Sequence, residues 1–355
     1  MKLLLIGLAC PILFAQSPVH SPEIAADRTV TFRLRAPAAK EVTLTGEFMK
    51  GSKPLQKSDD GTWSVTVGPI DPEIYYYNFT IDGVKTIDPG NPGVKSGSTP
   101  STIQSILDVP GQAPRFFDPH PVPHGEIRTH WYASKSLGTT RRLTVYTPPG
   151  YDRSTNRLPV LYLFHGANAD ETAWTRLGRA NLIMDNLYAG NKAKPMLIVM
   201  PFGYGVQPGQ QGNTPAFSRD LLEDVIPFVE SHYRAYTDRE HRAIAGLSMG
   251  GGEALTIGLH HLELFSYVGG FSAGLRTPEL QGTFGDFVSK PQEANHKLKL
   301  LWIACGTDDG LFPTSEAFSK MLDGAQIKHT FHKSGGAHTW INWRHYLNEF
   351  APLLF

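Results

Sequence analysis

The segment HRAIAGLSMGGGEALTIGLHH places a single serine between an apolar run and a run of helix-forming residues. This residue, Ser248, lies in the pattern Gly-x-Ser-x-Gly, with Gly246 two residues before it and Gly250 two residues after it. Glycines at these positions let a strand turn sharply into a helix, because larger side chains would keep the flanking chains apart. The pattern predicts a strand that ends near residue 245, a helix from residue 252 onward, and an exposed serine hydroxyl between them.

Apolar segments alternate with helical segments from residue 126 to residue 355. The apolar runs include LPVLYLF, PMLIVM, HRAIAGL and LKLLWIAC, whereas SRDLLEDVIPFVESHY carries its apolar residues at helical spacing. Strands that are apolar throughout and separated by helices are typical of a parallel sheet that is covered on both faces. Residues 126–355 are therefore predicted to form an α/β-hydrolase domain with a mainly parallel sheet.

The chain before residue 126 has a different pattern. The segments TVTFRLRAP, EVTLTGEF and GTWSVTV alternate apolar and polar residues, and turn residues separate them. Strands at this spacing predict a small β-sandwich over residues 22–109. Residues 110–125, PGQAPRFFDPHPVPHG, are rich in proline and predict a semi-rigid linker between the two domains.

The first residues resemble an export signal. A basic start is followed by the apolar run LLLIGLACPILFA and then by polar residues, which predicts a cleaved signal peptide over residues 1–15 and a secreted or periplasmic protein. Lipid attachment at Cys10 is the alternative, and it is disfavoured because Gly7 stands where such signals usually have leucine. Cleavage would leave Cys305 as the one cysteine, so we expect no intrachain disulfide.

The composition excludes several classes of partner. The chain has 33 basic and 33 acidic residues, which gives no basic surface for nucleic acid. No apolar run approaches the ~20 residues that a membrane-spanning helix needs, so we expect no transmembrane segment. His165 has no second ligand at metal-binding spacing, and neither a metal ion nor an organic cofactor is expected.

A serine becomes a nucleophile only with a base and a group that orients the base. In α/β-hydrolases the acid and the histidine follow the serine in chain order. Asp308 and Asp309 come after the strand LLWIACG, and His338 lies in a glycine-rich loop after the next strand. We therefore expect His338 to be the base for Ser248. Either aspartate could orient it, and Asp309, three residues after Gly306, is favoured over Asp308.

The remaining site residues are predicted from the neighbouring loops. The backbone N–H groups of Met249 and Ala167, with Gly166 as the alternative to Ala167, are placed to stabilise an oxyanion. The nearby loops are aromatic and uncharged, which favours an apolar acyl pocket over a basic one. The residues expected to bind the acyl group are Trp174, Phe271 and Trp340, and the wider set includes Phe202, Tyr204 and Phe312.

Four segments resemble feruloyl and acetylxylan esterases of carbohydrate esterase family one and the related enterochelin esterases and esterase D: HGANADETAW, GLSMGGGEAL, GTDDGLF and GAHTWINWRHYLNEF. The resemblance covers residues 126–355 and implies that Ser248, Asp309 and His338 are catalytic. It implies a serine esterase that releases feruloyl groups from plant cell-wall polysaccharide such as arabinoxylan. The alternatives are acetylxylan and catecholate siderophore esters. A carbohydrate-binding protein without activity is disfavoured by the intact triad.

The first domain resembles carbohydrate-binding module family 48 in the segments TGEF, DDGTWSVTV, EIYYYNFTIDG and DPGNP. This resemblance implies an immunoglobulin-like fold, and glycan binding would be a further property of the module. Alternation along IYYYNFTI predicts that Tyr76 lies on the outward face, where it could either stack on a sugar or pack against protein.

Overall fold

The computed structural model describes residues 19–95 and 103–355 and divides into two compact units. The first unit contains residues 19–95 and 103–109, and the second contains residues 110–355. The predicted signal peptide over residues 1–15, with Cys10, lies outside the described residues.

The first unit is built from antiparallel strands. Among its described residues these are β1 (Glu23–Ile24), β2 (Val30–Arg35), β3 (Val42–Gly46), β4 (Ser52–Pro54), β5 (Gln56–Lys57), β6 (Thr62–Val67), β7 (Ile74–Ile81), β8 (Val84–Thr86), β9 (Val94–Lys95) and β10 (Gln104–Asp108). One sheet has the order β1-β2-β6-β5, and the other has the order β4-β3-β7-β10-β9, with β8 paired to β7. Phe32 of the first sheet contacts Tyr77 of the second, with ring centroids 4.8 Å apart. These paired sheets form the β-sandwich that the sequence predicts.

Strand β7 is buried on both faces over most of its length. Tyr76 is 1% exposed and Asn78 is 2% exposed, so of the two alternatives for Tyr76, packing against protein is the one that agrees with the structure. The Lys95 ammonium lies 4.8 Å from the centre of the Tyr76 ring, and β10 pairs alongside at Ile106. Tyr76 was the residue considered for glycan binding in this unit, and its burial leaves that property without an assigned residue.

The second unit contains one large sheet. Its strands are β11 (Glu126–Ser134), β12 (Thr139–Thr147), β13 (Val160–Phe164), β14 (Leu197–Pro201), β15 (Arg242–Leu247), β16 (Tyr267–Phe271), β17 (Leu300–Gly306) and β18 (Thr330–Ser334). Their order is β11-β12-β14-β13-β15-β16-β17-β18. The strands from β14 to β18 are parallel, and β11 and β12 are antiparallel additions at one edge. This is the predicted mainly parallel α/β sheet.

Helices pack on this sheet. They are α1 (Ala173–Arg176), α2 (Ala180–Ala189), α3 (Asn213–Arg219), α4 (Ile226–His232), α5 (Ser248–His260), α6 (Leu280–Val288), α7 (Pro291–Lys297), α8 (Phe312–Gly324) and α9 (Trp340–Phe350), with a π-helical segment Asp220–Val225 between α3 and α4. Every residue of β13, β14, β15 and β16 is buried, as expected for strands covered on both faces. In the described ranges, no helix combines the length and apolar character needed to cross a membrane.

Residues 110–125 do not form the predicted linker but belong to the second unit. Phe117 is 1% exposed, and the Arg344 guanidinium of α9 lies 4.9 Å from its ring centre. Asp118 pairs with Arg179 at 3.0 Å, and the side chain of Asn186 on α2 donates to two backbone carbonyls of the segment. Proline content predicts extended chain, but it carries no information on these contacts.

Replacing Phe117 with alanine should lower the free energy of unfolding of the second unit by about 3–5 kcal/mol, because a buried aromatic ring is lost. Chemical unfolding followed by tryptophan fluorescence reports on this unit, since five of the six tryptophans lie after residue 110. The matched control is Pro123→Ala, at an exposed position of the same segment. A free linker would give the same small change for both variants.

Candidate active site

Ser248 lies in a strained turn between β15 and α5. Its φ is +53°, in the left-handed region that residues with a side chain rarely occupy. A Cβ atom at Gly246 would lie 2.4 Å from the Gly250 carbonyl oxygen, and one at Gly250 would lie 2.4 Å from the His165 carbonyl oxygen. Both glycines are therefore required by close backbone approach. The helix begins at Ser248 itself rather than at residue 252, since the glycines adopt helical geometry in its first turn.

The structure brings Ser248, His338 and Asp309 into one hydrogen-bonded chain. His338 Nε2 lies 2.9 Å from Ser248 Oγ, and His338 Nδ1 lies 2.8 Å from Asp309 Oδ2. Asp309 is 3% exposed and follows the end of β17. Asp308 is exposed on the same turn. The geometry thus selects Asp309 over Asp308 as the partner of the histidine.

The surroundings of Asp309 keep it ionised. Burial acts to raise the pKa of this carboxyl, but hydrogen bonds from His338 and the Leu311 N–H outweigh burial and hold the pKa below its ordinary value. An ionised carboxylate accepts a hydrogen bond from Nδ1–H, which keeps the proton on Nδ1 and leaves Nε2 of His338 as the acceptor. Nε2 is the nitrogen that faces Ser248, and the histidine is therefore set to act as a base.

The predicted oxyanion donors lie on two elements next to Ser248. Met249 is the second residue of α5, and its N–H belongs to the first turn, where the helix offers no acceptor. The loop after β13 passes close to the serine, since a Cβ atom at Gly166 would lie 3.1 Å from Ser248 Cβ. The N–H of Ala167 donates to none of the described residues. Both N–H groups are thus available to a substrate oxygen.

His165 holds the oxyanion loop in place. Its Nδ1 lies 2.8 Å from the Gly166 carbonyl oxygen, and its Nε2 accepts a hydrogen bond of 2.8 Å from the Gly203 N–H. Burial lowers the pKa of His165 to about 4, so the ring is neutral with its proton on Nδ1. The carbonyl of Gly166 and the N–H of Ala167 belong to one planar peptide. The imidazole therefore also fixes the direction of the Ala167 N–H.

A cavity of about 230 Å³ lies next to the loop that carries Ala167, and the following residue, Asn168, is part of its lining. It is lined by Asn168, Ala169, Asp170, Thr172, Ala173, Arg176, Leu177, Phe202, Tyr204 and Pro208. The Tyr204 hydroxyl accepts a hydrogen bond of 2.8 Å from the Asn168 N–H, which joins the two loops that form its walls. Phe202 and Tyr204 belong to the wider set of aromatic residues predicted from the sequence to line the acyl pocket.

The prediction that Trp174, Phe271 and Trp340 bind the acyl group is wrong. They are 1%, 0% and 3% exposed, and none of them lines the cavity. The Trp174 ring packs edge to face on Trp340 at 5.2 Å and on Phe271 at 6.2 Å, and its indole N–H donates to the Phe164 carbonyl. These rings form the core beneath the site, because α1, β16 and α9 meet there.

Sequence reasoning missed the residues that support the site. Arg141 is buried and its guanidinium donates to the carbonyl oxygens of Phe202 and Tyr204, which holds one wall of the cavity. Ser272, directly after β16, accepts a hydrogen bond of 3.2 Å from the indole N–H of Trp343, whose ring packs against His338. The strand segment RRLTVY begins with two arginines, Arg141 and Arg142, and nothing in it marks Arg141 as the buried one. No pattern in the sequence distinguishes Ser272.

The Esterase family model matches residues 134–354, which is more than half of the chain. This chain belongs to the Esterase family. Its second unit, which contains the match, is a carboxylic ester hydrolase.

Known esterases resemble the chain over different lengths. An endo-1,4-beta-xylanase/feruloyl esterase of Xylanibacter ruminicola is 32% identical over 358 residues, which cover 96% of this chain and 47% of that protein. The chain therefore spans about half the length of that relative. A solved ferulic acid esterase is 27% identical with a TM-score of 0.59, over 64% of this chain and 97% of the other.

The enterobactin esterase of Shigella flexneri shares the fold of this esterase. It has a TM-score of 0.69 at 18% identity and covers 91% of this chain and 92% of its own. The match therefore extends over residues of both units.

Across residues 19–95 and 103–355, no three or more His, Cys, Asp or Glu side chains are grouped so as to hold a metal ion. The groups that the site brings together are a serine, a histidine, a carboxylate and backbone N–H donors. This set can perform acyl transfer through a covalent intermediate on the serine.

Replacing Ser248 or His338 with alanine should each lower kcat by several orders of magnitude, and the double variant should lose little more, because the two side chains act as one unit. Initial rates on a soluble phenyl or naphthyl ester measure this loss. Losses that multiply in the double variant would contradict the assignment.

The acid is tested by a matched pair of variants. Asp309→Asn should lower kcat by orders of magnitude, because an amide cannot stabilise the imidazolium that forms during the reaction. Asp308→Asn, one residue away and exposed, should stay within a few-fold of the unchanged enzyme. The reverse ranking would assign the acid to Asp308.

Proposed function

We propose that the chain is an exported serine carboxylesterase that hydrolyses hydroxycinnamoyl esters, such as feruloyl esters, on plant cell-wall polysaccharide. The observation that carries this proposal is the chain of hydrogen bonds from Ser248 through His338 to Asp309, with distances of 2.9 and 2.8 Å, beside an aromatic-lined cavity. The names of the relatives, a xylanase/feruloyl esterase and a ferulic acid esterase, support the choice of acyl group.

The reaction begins when His338 Nε2 takes the proton of Ser248 as Oγ attacks the ester carbonyl carbon. The carbonyl oxygen becomes an oxyanion, and the N–H groups of Ala167 and Met249 stabilise it. The tetrahedral intermediate collapses, His338 returns the proton to the leaving alcohol, and the acyl group stays on Ser248 as an ester. The Asp309 carboxylate stabilises the imidazolium in both directions of proton transfer.

Water completes the cycle. His338 takes a proton from a water molecule, which attacks the acyl-enzyme carbonyl carbon. The second tetrahedral intermediate uses the same oxyanion donors and expels Ser248 Oγ, which regains its proton from His338. A carboxylic acid and the starting enzyme result. The saccharide hydroxyl leaves in the first half of the reaction and the acid in the second.

The cavity favours an aromatic, neutral acyl group. Phe202, Tyr204, Leu177 and Pro208 supply apolar surface, on which an aromatic ring can pack edge to face or offset-stacked. A volume of about 230 Å³ leaves an acetyl group with few contacts. The cavity carries one acidic residue, Asp170, and one basic residue, Arg176, which gives no excess positive charge for a polyanionic ferric catecholate.

Export is proposed from the sequence over residues 1–15 alone. The apolar run between a basic start and a polar continuation supports it. N-terminal sequencing of protein recovered from the culture medium or periplasm, compared with the cell lysate, tests this proposal. A mature chain that starts near Gln16 agrees with it, and a full-length chain confined to the cytoplasm contradicts it.

Substrate class is tested by comparing methyl ferulate, acetylated xylan and a linear catecholate ester at equal ester concentration. We expect the highest kcat/KM with methyl ferulate, and no turnover above background with Ser248→Ala. Preference for the acetyl ester would assign the enzyme to xylan deacetylation. Preference for the catecholate ester would assign it to siderophore hydrolysis, and no turnover on any ester would remove the proposal.

The acyl site is tested by truncating Phe202 to alanine. Loss of a ring-to-ring contact of about 1 kcal/mol should lower kcat/KM on methyl ferulate roughly five-fold, with little change on a phenyl acetate. The matched control is Trp174→Phe, which alters the core beneath the site and leaves the ratio of the two rates unchanged. Equal losses on both esters in Phe202→Ala would show that the ring does not contact the acyl group.

A further inference from the structure

Glu253 is a buried carboxyl on the helix that begins with the nucleophile. It lies in the second turn of α5 and is 2% exposed. Its Oε1 atom accepts a hydrogen bond of 2.6 Å from Asn213 Nδ2, whereas its Oε2 atom has no hydrogen-bond partner among the described residues. A buried polar atom without a partner costs stability. A carboxyl at this position therefore calls for an explanation.

The side-chain amide of Asn213, the first residue of α3, connects Glu253 with the loop after β14. Its Nδ2 atom also donates to the Gly203 carbonyl oxygen at 3.0 Å. Its Oδ1 atom accepts hydrogen bonds from the Gly205 N–H at 2.8 Å and the Val206 N–H at 3.3 Å. One amide thus binds three residues of the loop and is itself bound by the carboxyl of Glu253.

The loop residues bound by this amide alternate with residues of the cavity wall. Phe202 and Tyr204 flank Gly203, and both line the acyl cavity. The loop packs closely on α3, since a Cβ atom at Gly205 would lie 2.4 Å from the Phe217 backbone nitrogen. A change in the position of the amide would therefore move the aromatic wall of the cavity.

Gly203 also connects the same loop with the oxyanion loop. Its N–H donates to His165 Nε2 at 2.8 Å. A Cβ atom at Gly203 would lie 3.4 Å from His165 Nε2 and 3.5 Å from Glu253 Oε2, so both side chains lie against this glycine. The nucleophile helix, the oxyanion loop and the cavity wall therefore meet at Gly203.

We propose that Glu253 is a positioning residue that determines acyl specificity, because its hydrogen bond with Asn213 fixes the aromatic wall of the cavity relative to Ser248. An aromatic acyl group needs the wall and the nucleophile in place at the same time. An acetyl group makes few contacts in the cavity and needs the nucleophile alone. This inference rests on the proposed aromatic acyl site.

Two substitutions at Glu253 separate its hydrogen bond from its bulk. Glu253→Ala removes the acceptor for Asn213. Glu253→Gln keeps the length of the side chain and the Oε1 acceptor. Burial raises the pKa of Glu253 well above its ordinary value and favours the neutral acid, so glutamine matches it in charge as well as in shape.

The experiment measures kcat and KM on methyl ferulate and on phenyl acetate in the full chain. Glu253→Ala should lower kcat/KM on methyl ferulate roughly ten-fold, mainly through KM, because a hydrogen bond that positions the wall is lost. The rate on phenyl acetate should stay within about two-fold, and Glu253→Gln should stay within about two-fold on both esters. Asn213→Ala should behave as Glu253→Ala does, and the double variant should lose little more, because the two side chains form one contact.

Amide hydrogen exchange over residues 202–208 gives a second readout that does not depend on the substrate. The Gly205 N–H donates to Asn213 Oδ1, so its exchange should be faster in Glu253→Ala and unchanged in Glu253→Gln. The matched control is Asp185→Ala. Asp185 is a buried carboxyl on α2 that contacts the Tyr146 hydroxyl and the Gly125 N–H instead of the cavity loops. This control should lower the melting temperature and change neither the ratio of the two rates nor the exchange of the loop.

Equal losses on both esters in Glu253→Ala would overturn the proposal, as would Glu253→Gln that is as impaired as Glu253→Ala or loop exchange that is the same in all variants. If Glu253→Ala does not fold, Asn213→Ala decides at a half-buried position, and an unchanged ratio of rates there overturns the proposal. Failure of the proposed function gives a different result. The unchanged enzyme would then show no preference for methyl ferulate, and the exchange comparison would still decide the role of Glu253.

Discussion

Backbone contact between the end of β15 and the first turn of α5 is the constraint on which the active site depends. Side chains at Gly246 and Gly250 would each bring a Cβ atom to 2.4 Å from a backbone oxygen, one on α5 and one at the end of β13. The backbones of β13, β15 and α5 therefore approach each other so closely that only glycine fits at these two positions. Ser248 is left at φ +53°, and the surrounding packing maintains this unfavourable conformation.

Because the strands are parallel, the other catalytic groups lie at the same edge of the sheet as Ser248. The carboxyl ends of neighbouring strands lie side by side, so the ends of β13 and β17 supply Ala167 and Asp309, and the loop after β18 supplies His338. Ser248 and His338 are 90 residues apart in sequence and 2.9 Å apart in space. The sheet, the triad order and the glycine turn were all predictable, because each depends on local pattern or on chain order.

The positions that sequence pattern left undecided or mispredicted depend on packing between distant elements. Trp174 and Trp340 follow turns, as pocket residues do, but the meeting of α1, β16 and α9 buries them. Tyr76 alternates correctly for an outward face, yet Lys95 covers it from a strand 19 positions later. Phe117 lies in a proline-rich segment whose partners, such as Arg344, come more than 200 residues later. Apolar character predicts burial or binding equally well, and only the tertiary contacts separate the two.

Catalysis through Ser248 requires a covalent ester on its Oγ atom, and direct observation of that intermediate tests the mechanism best. The enzyme is mixed with methyl ferulate, quenched in acid within milliseconds, and digested for peptide mass spectrometry. We expect a feruloyl adduct on the peptide that contains Ser248, formed at the rate of the initial ferulate ester cleavage and absent in Ser248→Ala. An adduct on another residue, or turnover that continues in Ser248→Ala, would contradict it.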